Sequence, residues 1–496
     1  MEMRTGWETV VADMLQNYDI GGFFDEMIIA GHQARPHYTL LKERLHLLSA
    51  DELTSRQNLA DLLFFREGIT FTVYGDQEGT ERTMPFDFVP RIIPNQEWQH
   101  IEAGLIQRVT TLNMFLDDVY HQQHILKDNI VPRHLVVTSP HFYPQAAHIE
   151  SPQGVHIFLA GIDLIRNQAG DYQILEDNVR NPSGLSYVMR NRHVMRQIFP
   201  EFFYGYAVRS LRHQFEYLIS SLRYLAPHTK AHPNIVLLTP GIFNSAYFDH
   251  SFLAQQMGIQ LVEGRDMVVM DRKVFMKTTT GLTQVDVIYR RIDDSYLDPL
   301  EFRPDSQLGI PGLMDAFRAG HVAIVNGVGN GVADNKAVYS YVPAMIRYYL
   351  NEEPVLGNVE TYILADPDQQ HYVLGRLDQM VVKPTDGAGG YDMLVGPQSS
   401  ESELHSFRQK ILHNPAGYIA QPTIGLSRIP TFRDRTFKGC HVDLRPFVIL
   451  GEEPRVIPGG LTRVALKDGS LIVNSSQGGG GKDTWVLENW GGDSSC

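Results

Sequence analysis

GIDLIRNQAGDYQILEDNVRNPSG, residues 161–184, reads as a β-hairpin. Apolar Ile162, Leu164 and Ile165 lead into a turn-prone stretch at 167–171, and Tyr172, Ile174 and Leu175 follow it. Successive strand side chains alternate faces, so Glu176 and Asn178 project to one side as a pair. With Asp163 on the neighbouring strand, three hard oxygen donors can meet at one spot. Mg²⁺ takes one or two carboxylates and keeps positions for phosphate and water, which is what this set offers. Arg180 continues the same face and suits phosphate charge. Polar residues that merely cap an exposed hairpin would give the same local pattern.

A second constellation stands at residues 380–393, MVVKPTDGAGGYDM. An apolar strand delivers Lys383, and the loop Asp386, Gly387, Ala388, Gly389, Gly390 follows. Glycines let backbone N–H groups approach phosphate oxygens, and an ammonium adds a mobile point charge. No Gly-Lys-Ser/Thr ends the loop, so it is not a Walker loop. A glycine-rich hairpin turn is the alternative.

Together the two segments resemble the ATP-grasp ligases, and their order resembles the circularly permuted branch related to glutathionylspermidine synthetase. In an ordinary member the lysine and glycine loop come first and the metal ligands last; here the hairpin comes first. The resemblance covers most of 71–485. It implies a mixed α/β fold, a circularly permuted ATP-grasp with a small pre-ATP-grasp domain built on a parallel sheet. The implied parts are an N-terminal helical segment at 1–70 and an ATP-grasp part carrying the metal hairpin at 71–232. A pre-ATP-grasp-like domain at 233–332 follows, then the part with lysine, glycine loop and hinge at 333–485, and a flexible tail at 486–496. It also implies ATP and Mg²⁺ as cofactors, with Mg²⁺ on Asp163, Glu176 and Asn178. ATP would be held by Lys336, Lys383, Gly387, Gly389, Gly390 and Gln421. Lys336 lies in Asn335-Lys336-Ala337, Gln421 on the adenine hinge strand 418–422, and Arg445 in Asp443-Leu444-Arg445-Pro446, a strand whose arginine meets phosphate.

Each residue has a chemical reading beside that resemblance. A helix N-terminus disfavours cations, so Lys336 calls for an anionic partner, unless it is a solvated first-turn lysine. Arg445 sits among apolar neighbours, where an unpaired guanidinium is costly, so Asp443 or a phosphate must satisfy it. Gln421 either reads the adenine edge or ends a strand. Arg463 follows the pair Gly459 and Gly460, a close approach to ligand or a plain turn. In Tyr289-Arg290-Arg291-Ile292-Asp293-Asp294, Arg291 is placed to bind a substrate carboxylate at a strand end; a surface ion pair is the alternative. The glycine-rich 326–331 reads as a substrate- or phosphate-side turn.

The chain has 496 residues, 43% of them hydrophobic, enough for two or three domains. A net charge of -14 argues against nucleic acid or an anionic membrane as partner. Two cysteines, Cys440 and Cys496, are too few for a disulfide framework and fit a cytoplasmic protein. No basic leader, membrane-length apolar run or HExxH cluster is present. Helices are expected within 1–63, including FDEMI at 24–28, and at 98–121, 206–226 and 309–321. A strand–helix–strand unit starts at 235, and a hairpin with edge strands is expected over 271–289.

The resemblance implies joining of a carboxylate to an amine through an acyl phosphate, with Arg180, Arg445 or Arg291 stabilising the oxyanion. The substrates would be small-molecule or peptide acids and amines; a homo-oligomer is left open. No cysteine precedes Cys440, so the amidase module of glutathionylspermidine synthetase has no counterpart here. A phosphotransferase, or a nucleotide-binding protein that needs a partner, would share the same motifs.

Overall fold

In the computed structural model, the hairpin forms from strands Leu159–Arg166 and Tyr172–Asn178. Its turn closes through the Asn167 side chain, which accepts the Asp171 N–H at 2.9 Å, and Gly170 adopts φ +93°, a conformation open to glycine. The structure describes residues 14–16, 18–73, 80–227, 232–387, 392–466, 473 and 479–488. Asp163 stands opposite Glu176, and Gly161 opposite Asn178. A bulge beyond Asp163 shifts the register by one residue. One face of the hairpin therefore carries Asp163, Glu176 and Asn178. The other carries Asp177, whose carboxylate takes a bidentate pair of bonds from buried Arg108 (2.6 and 2.7 Å) on helix Asn95–Tyr120.

The hairpin belongs to a 10-stranded sheet, where Leu159–Arg166 is followed by Thr436–Arg445, Leu461–Val464, Gly480–Val486 and Phe86–Ile93. The last two strands pair in parallel, so segments from both ends of the chain close one sheet. Such a join is what a permuted chain order requires. A separate 4-stranded antiparallel sheet, Tyr362–Ile363, Tyr418–Pro422, Met380–Pro384 and Leu394–Val395, carries Lys383 and has its own small core around Val382, Leu377 and Ile411.

The expected strand–helix–strand unit is Ile235–Leu238, Tyr247–Met257 and Gln260–Val262. Its sheet is wholly parallel, in the order Ala323–Val325, Val287–Arg290, Ile235–Leu238, Gln260–Val262. Val287–Arg290 was expected at an edge but lies inside, which its four fully buried residues explain. FDEMI does not form a helix. The Asp25 carboxylate accepts the N–H groups of Met27 and Ile28, and Glu26 N–H reaches Arg428 O, so local turn and tertiary bonds take the groups a helix needs. The helices expected at 206–226 and 309–321 shorten to Gln214–Tyr224 and Leu313–Arg318; Gly312 at φ +83° starts the latter.

The loop at 326–331 is a staple between the parallel sheet and the hairpin. Buried Asn326 accepts the N–H groups of Phe158 (2.7 Å) and Leu159 (2.9 Å) and donates to Leu159 O (2.8 Å) and Val179 O (2.7 Å). Buried Arg290 holds the same loop through Asn326 O and Gly327 O. An orphaned buried polar group costs about 1–3 kcal/mol, so Asn326→Ala, which orphans several, should lower stability by roughly 3 kcal/mol or more. Thermal unfolding checks this, and an unchanged midpoint would contradict the staple.

Candidate active site

Glu176 and the lysine-bearing sheet meet through Lys336. Asn335 caps the short helix Lys336–Tyr339 by accepting the N–H groups of Ala337 and Val338, and its amide donates to Asp386 Oδ1 at 2.7 Å. Lys336 N–H bonds Thr385 O (2.9 Å), and its Nζ lies 3.0 Å from Glu176 Oε1 while donating to Gly387 O at 2.5 Å. One ammonium thus ties the hairpin to the start of the glycine loop. The anionic partner that the helix terminus called for is Glu176. A Cβ on Gly387 would sit 2.3 Å from Pro384 Cγ, so the tight exit from the strand needs glycine. Gly389 and Gly390 lie outside the described residues.

Lys383 and Gln421 share a face of their sheet, because Val381 pairs Gln421 and Lys383 pairs Ile419. Lys383 Nζ donates to Gln421 Oε1 at 2.8 Å, and Gln421 Nε2 donates to Thr361 Oγ1 at 3.0 Å. Burial pulls the Lys383 ammonium down to about 8; nearby Glu176 and Asp163 oppose the shift, and Lys336 and Arg463 add to it. Those influences put Lys383 within electrostatic reach of the hairpin face.

Beneath that face lies a chain of ion pairs. Arg445 grips Asp163 with two bonds (2.5 and 2.9 Å), and Arg463 adds a third at 2.7 Å. Arg463 also pairs with fully buried Asp443, directly opposite it across the strands. The partner of Arg445 is therefore Asp163, not Asp443. Burial alone would raise the Asp163 carboxyl, but the two guanidiniums outweigh it and hold it well below the usual range. Gly161 leaves room for this: a Cβ there would meet the Arg445 side chain at 3.2 Å.

The donor set fits Mg²⁺ as a shared site. Asp163 Oδ1 accepts one hydrogen bond and Oδ2 two, which leaves acceptor capacity on Oδ1. Asn178 Nδ2 is buried without a partner, and a half-turn of the amide exchanges it for Oδ1. Glu176 stands across from Asp163. Among the described residues no group of three or more His, Cys, Asp or Glu could hold a metal ion, so Mg²⁺ at these donors would need phosphate and water to complete its shell.

Of the three arginines, Arg180 and Arg445 adjoin the hairpin. Arg180 Nη1 lies 3.3 Å from His141 Nδ1 and 3.5 Å from Asp293 Oδ1, and its Nε is 3.7 Å from Asp334 Oδ2. Arg291 instead sits against Asp249 Oδ2 and the Tyr289 hydroxyl, both at 3.4 Å, and none of its described bonds reaches Arg180, Arg445 or the hairpin acids. Sequence reading passed over Asp334. It accepts the N–H groups of Val179 (2.6 Å) and Arg180 (3.2 Å), and burial lifts its carboxyl to about 7. Its place two residues before Lys336 was the available signal.

Circularly permuted ATP-grasp type 2 describes the family whose model matches residues 90–465. The chain belongs to this family. ATP-grasp enzymes in general use ATP with Mg²⁺, and the family is one of ATP-dependent ligases. An uncharacterised protein of Synechocystis sp. is 51% identical over 96% of this chain and 99% of its own length. One from Mycobacterium tuberculosis is 50% identical over 94% of this chain and 84% of its own. A Frankia casuarinae protein with the provisional name glutamate–cysteine ligase 2-2 is 40% identical; this chain spans 55% of its length. A glutathione synthetase-like effector from Globodera pallida, solved in apo form, shares the fold with TM-score 0.56 at 12% identity, over 89% of this chain and 98% of that one. Among the described residues no helix is long and apolar enough to cross a membrane.

Lys383 gives the site a pH signature. Its ammonium is lost as pH rises through about 8, so a phosphate held by that ammonium should bind more weakly across that range, read as ATP affinity at fixed Mg²⁺. Phosphate stabilises the charged form, so binding near pH 8 should take up a proton. From pH 8 to the ordinary value of 10.5 the unfolded chain keeps the proton that the folded one has released, so this group favours folding as pH rises. Calorimetry in buffers of different ionisation enthalpy measures the uptake. Proton uptake that persists in Lys383→Met would assign it elsewhere.

Proposed function

We propose that this chain is an ATP- and Mg²⁺-dependent ligase that joins a carboxylate to an amine through an acyl phosphate. The observation that supports the reading is Lys336, whose ammonium lies 3.0 Å from Glu176 Oε1 and donates to Gly387 O, linking the hairpin to the start of the glycine loop although they stand far apart in sequence. Lys383, Lys336 and the backbone at Gly387 would hold the phosphates, with Gln421 at the adenine side. Bound Mg²⁺ on Asp163, Glu176 and Asn178 would neutralise phosphate charge. A carboxylate oxygen displaces ADP from the γ-phosphorus. An amine nitrogen then attacks the acyl carbon, and phosphate leaves with the electron pair of the broken C–O bond. One ammonium proton leaves with phosphate and one passes to water. Arg445, locked to Asp163, offers fixed positive charge, and Arg180, held only at longer distances, can follow the developing oxyanion. Arg291, closed in against Asp249, supports the neighbouring fold and has no part in this scheme.

The Frankia name is compatible with carbon–nitrogen ligation, but a large part of that protein lies outside the match, and its substrates are not transferred. The test incubates the protein with ATP, Mg²⁺, pools of acids and hydroxylamine. Hydroxamate that requires both ATP and one acid supports the acyl phosphate. A stable phosphorylated product indicates a phosphotransferase instead, and AMP with pyrophosphate sinks the proposal. Glu176→Gln, an isosteric change, should cut hydroxamate formation roughly 10²–10³-fold, with little shift in thermal midpoint.

A further inference from the structure

Next to the hairpin exit lies a group of side chains that nucleotide and metal leave unused. It lines the carboxyl ends of the parallel strands, where strand order reverses between Ile235–Leu238 and Val287–Arg290, the position at which open α/β sheets bind ligands. Asp293 and Asp294 follow the second of these strands, Asn181 follows Arg180, and Asp334 bonds the backbone of Val179 and Arg180. The His141 ring feels the charges of Arg180, Asp386, Asp294 and Asp293, so the group borders the glycine-loop strand as well.

Asp294 and Asn181 each keep an unmet acceptor. Asp294 is 1% exposed; its Oδ1 takes Arg290 Nη2 and Gly329 N–H, while its Oδ2 is buried without a partner. The Asn181 nitrogen donates to Ile292 O (3.2 Å) and Asp293 Oδ1 (3.4 Å), which fixes the amide orientation and leaves its buried Oδ1 unpartnered. Arg180 is already flanked by Asp293, Asp334 and His141, so it does not supply these oxygens. Asp293, Asp294 and Asp334, whose carboxyl burial lifts to about 7, face the guanidiniums of Arg180 and Arg290, and Asp293 is half exposed. Unpartnered buried acceptors beside a half-exposed carboxylate call for a ligand with several N–H donors and positive charge.

We propose that this group is the acceptor subsite of the ligase, and that it binds a primary ammonium between Asp293, Asp294 Oδ2 and Asn181 Oδ1. The proposal rests on the ligase reading above and gives it a substrate class and a place. The amine nitrogen enters beside Arg180, one residue beyond Val179, which itself follows the metal-side Asn178. A zwitterion's carboxylate is not what the empty valences select.

The test is saturation-transfer NMR on the full chain with a non-hydrolysable ATP analogue and Mg²⁺. The probes are 1,4-diaminobutane for alkyl amines, glycinamide for peptide N-termini, and 1,4-butanediol as the neutral control. At least one amine should show saturable transfer and the diol none. Asp293→Asn should weaken that amine about tenfold, Asp293→Glu should recover part of the loss, and analogue binding should stay unchanged in both. Absence of transfer from both amines, or an affinity indifferent to Asp293→Asn, overturns the subsite while leaving the nucleotide site standing. Failure of the analogue itself to bind the wild-type chain overturns the ligase reading, and the subsite with it.

Discussion

Asp163, clamped between Arg445 and Arg463, is the contact on which the geometry of the cleft depends. Four charged groups, Arg445, Asp163, Arg463 and Asp443, run across three adjacent strands of the large sheet, each acid in contact with a guanidinium. None could be buried alone, since an isolated ion in the interior costs far more than folding can supply. Alternation of charge makes the row neutral and fixes the relative position of hairpin, central strand and return strand. Glu176 inherits its place from that row, because it stands opposite Asp163 in the register. A bidentate arginine is suited to this, its planar fork setting orientation as well as charge.

A second constraint closes the cleft from the other side. The lysine-bearing sheet has a small core of its own, separate from that of the large sheet. Polar contacts through the short helix at Lys336 link the two, Lys336 to Glu176 and Gly387, and Asn335 to Asp386. Polar contacts of this kind can exchange with phosphate and water. Lys383, on the small sheet, has a weakened hold on its proton, and Asp334, beside the hairpin, has a strengthened one. Burial is the leading cause of both shifts, disfavouring the charged form of each group, and buried ionisable groups of this kind collect at functional sites.

Much of this was legible in the chain. The hairpin, the lysine strand, the hinge strand and the strand–helix–strand unit follow local rules: alternation of apolar residues, turn-forming Asn and Gly, and a capping Asn335 before Lys336. The order of the two constellations named the family, and the family match bears that out. Local rules failed where distant atoms took over the backbone, as at FDEMI, where Asp25 and Arg428 claim the bonds of a helix turn.

Sequence therefore determined which groups are available, because residue type and strand spacing fix which side chains share a face. It also determined the permuted order. Which group answers which was decided by tertiary structure. Arg445 had a carboxylate two residues away in Asp443 yet pairs with Asp163, 282 residues distant. Arg290 and Arg291 are neighbours, and one staples a loop while the other turns to Asp249. The physical reason is that a buried charge takes the partner whose geometry completes its hydrogen bonds: Asp443 is taken by Arg463 directly across the strands, and Asp163 offers Arg445 both of its oxygens.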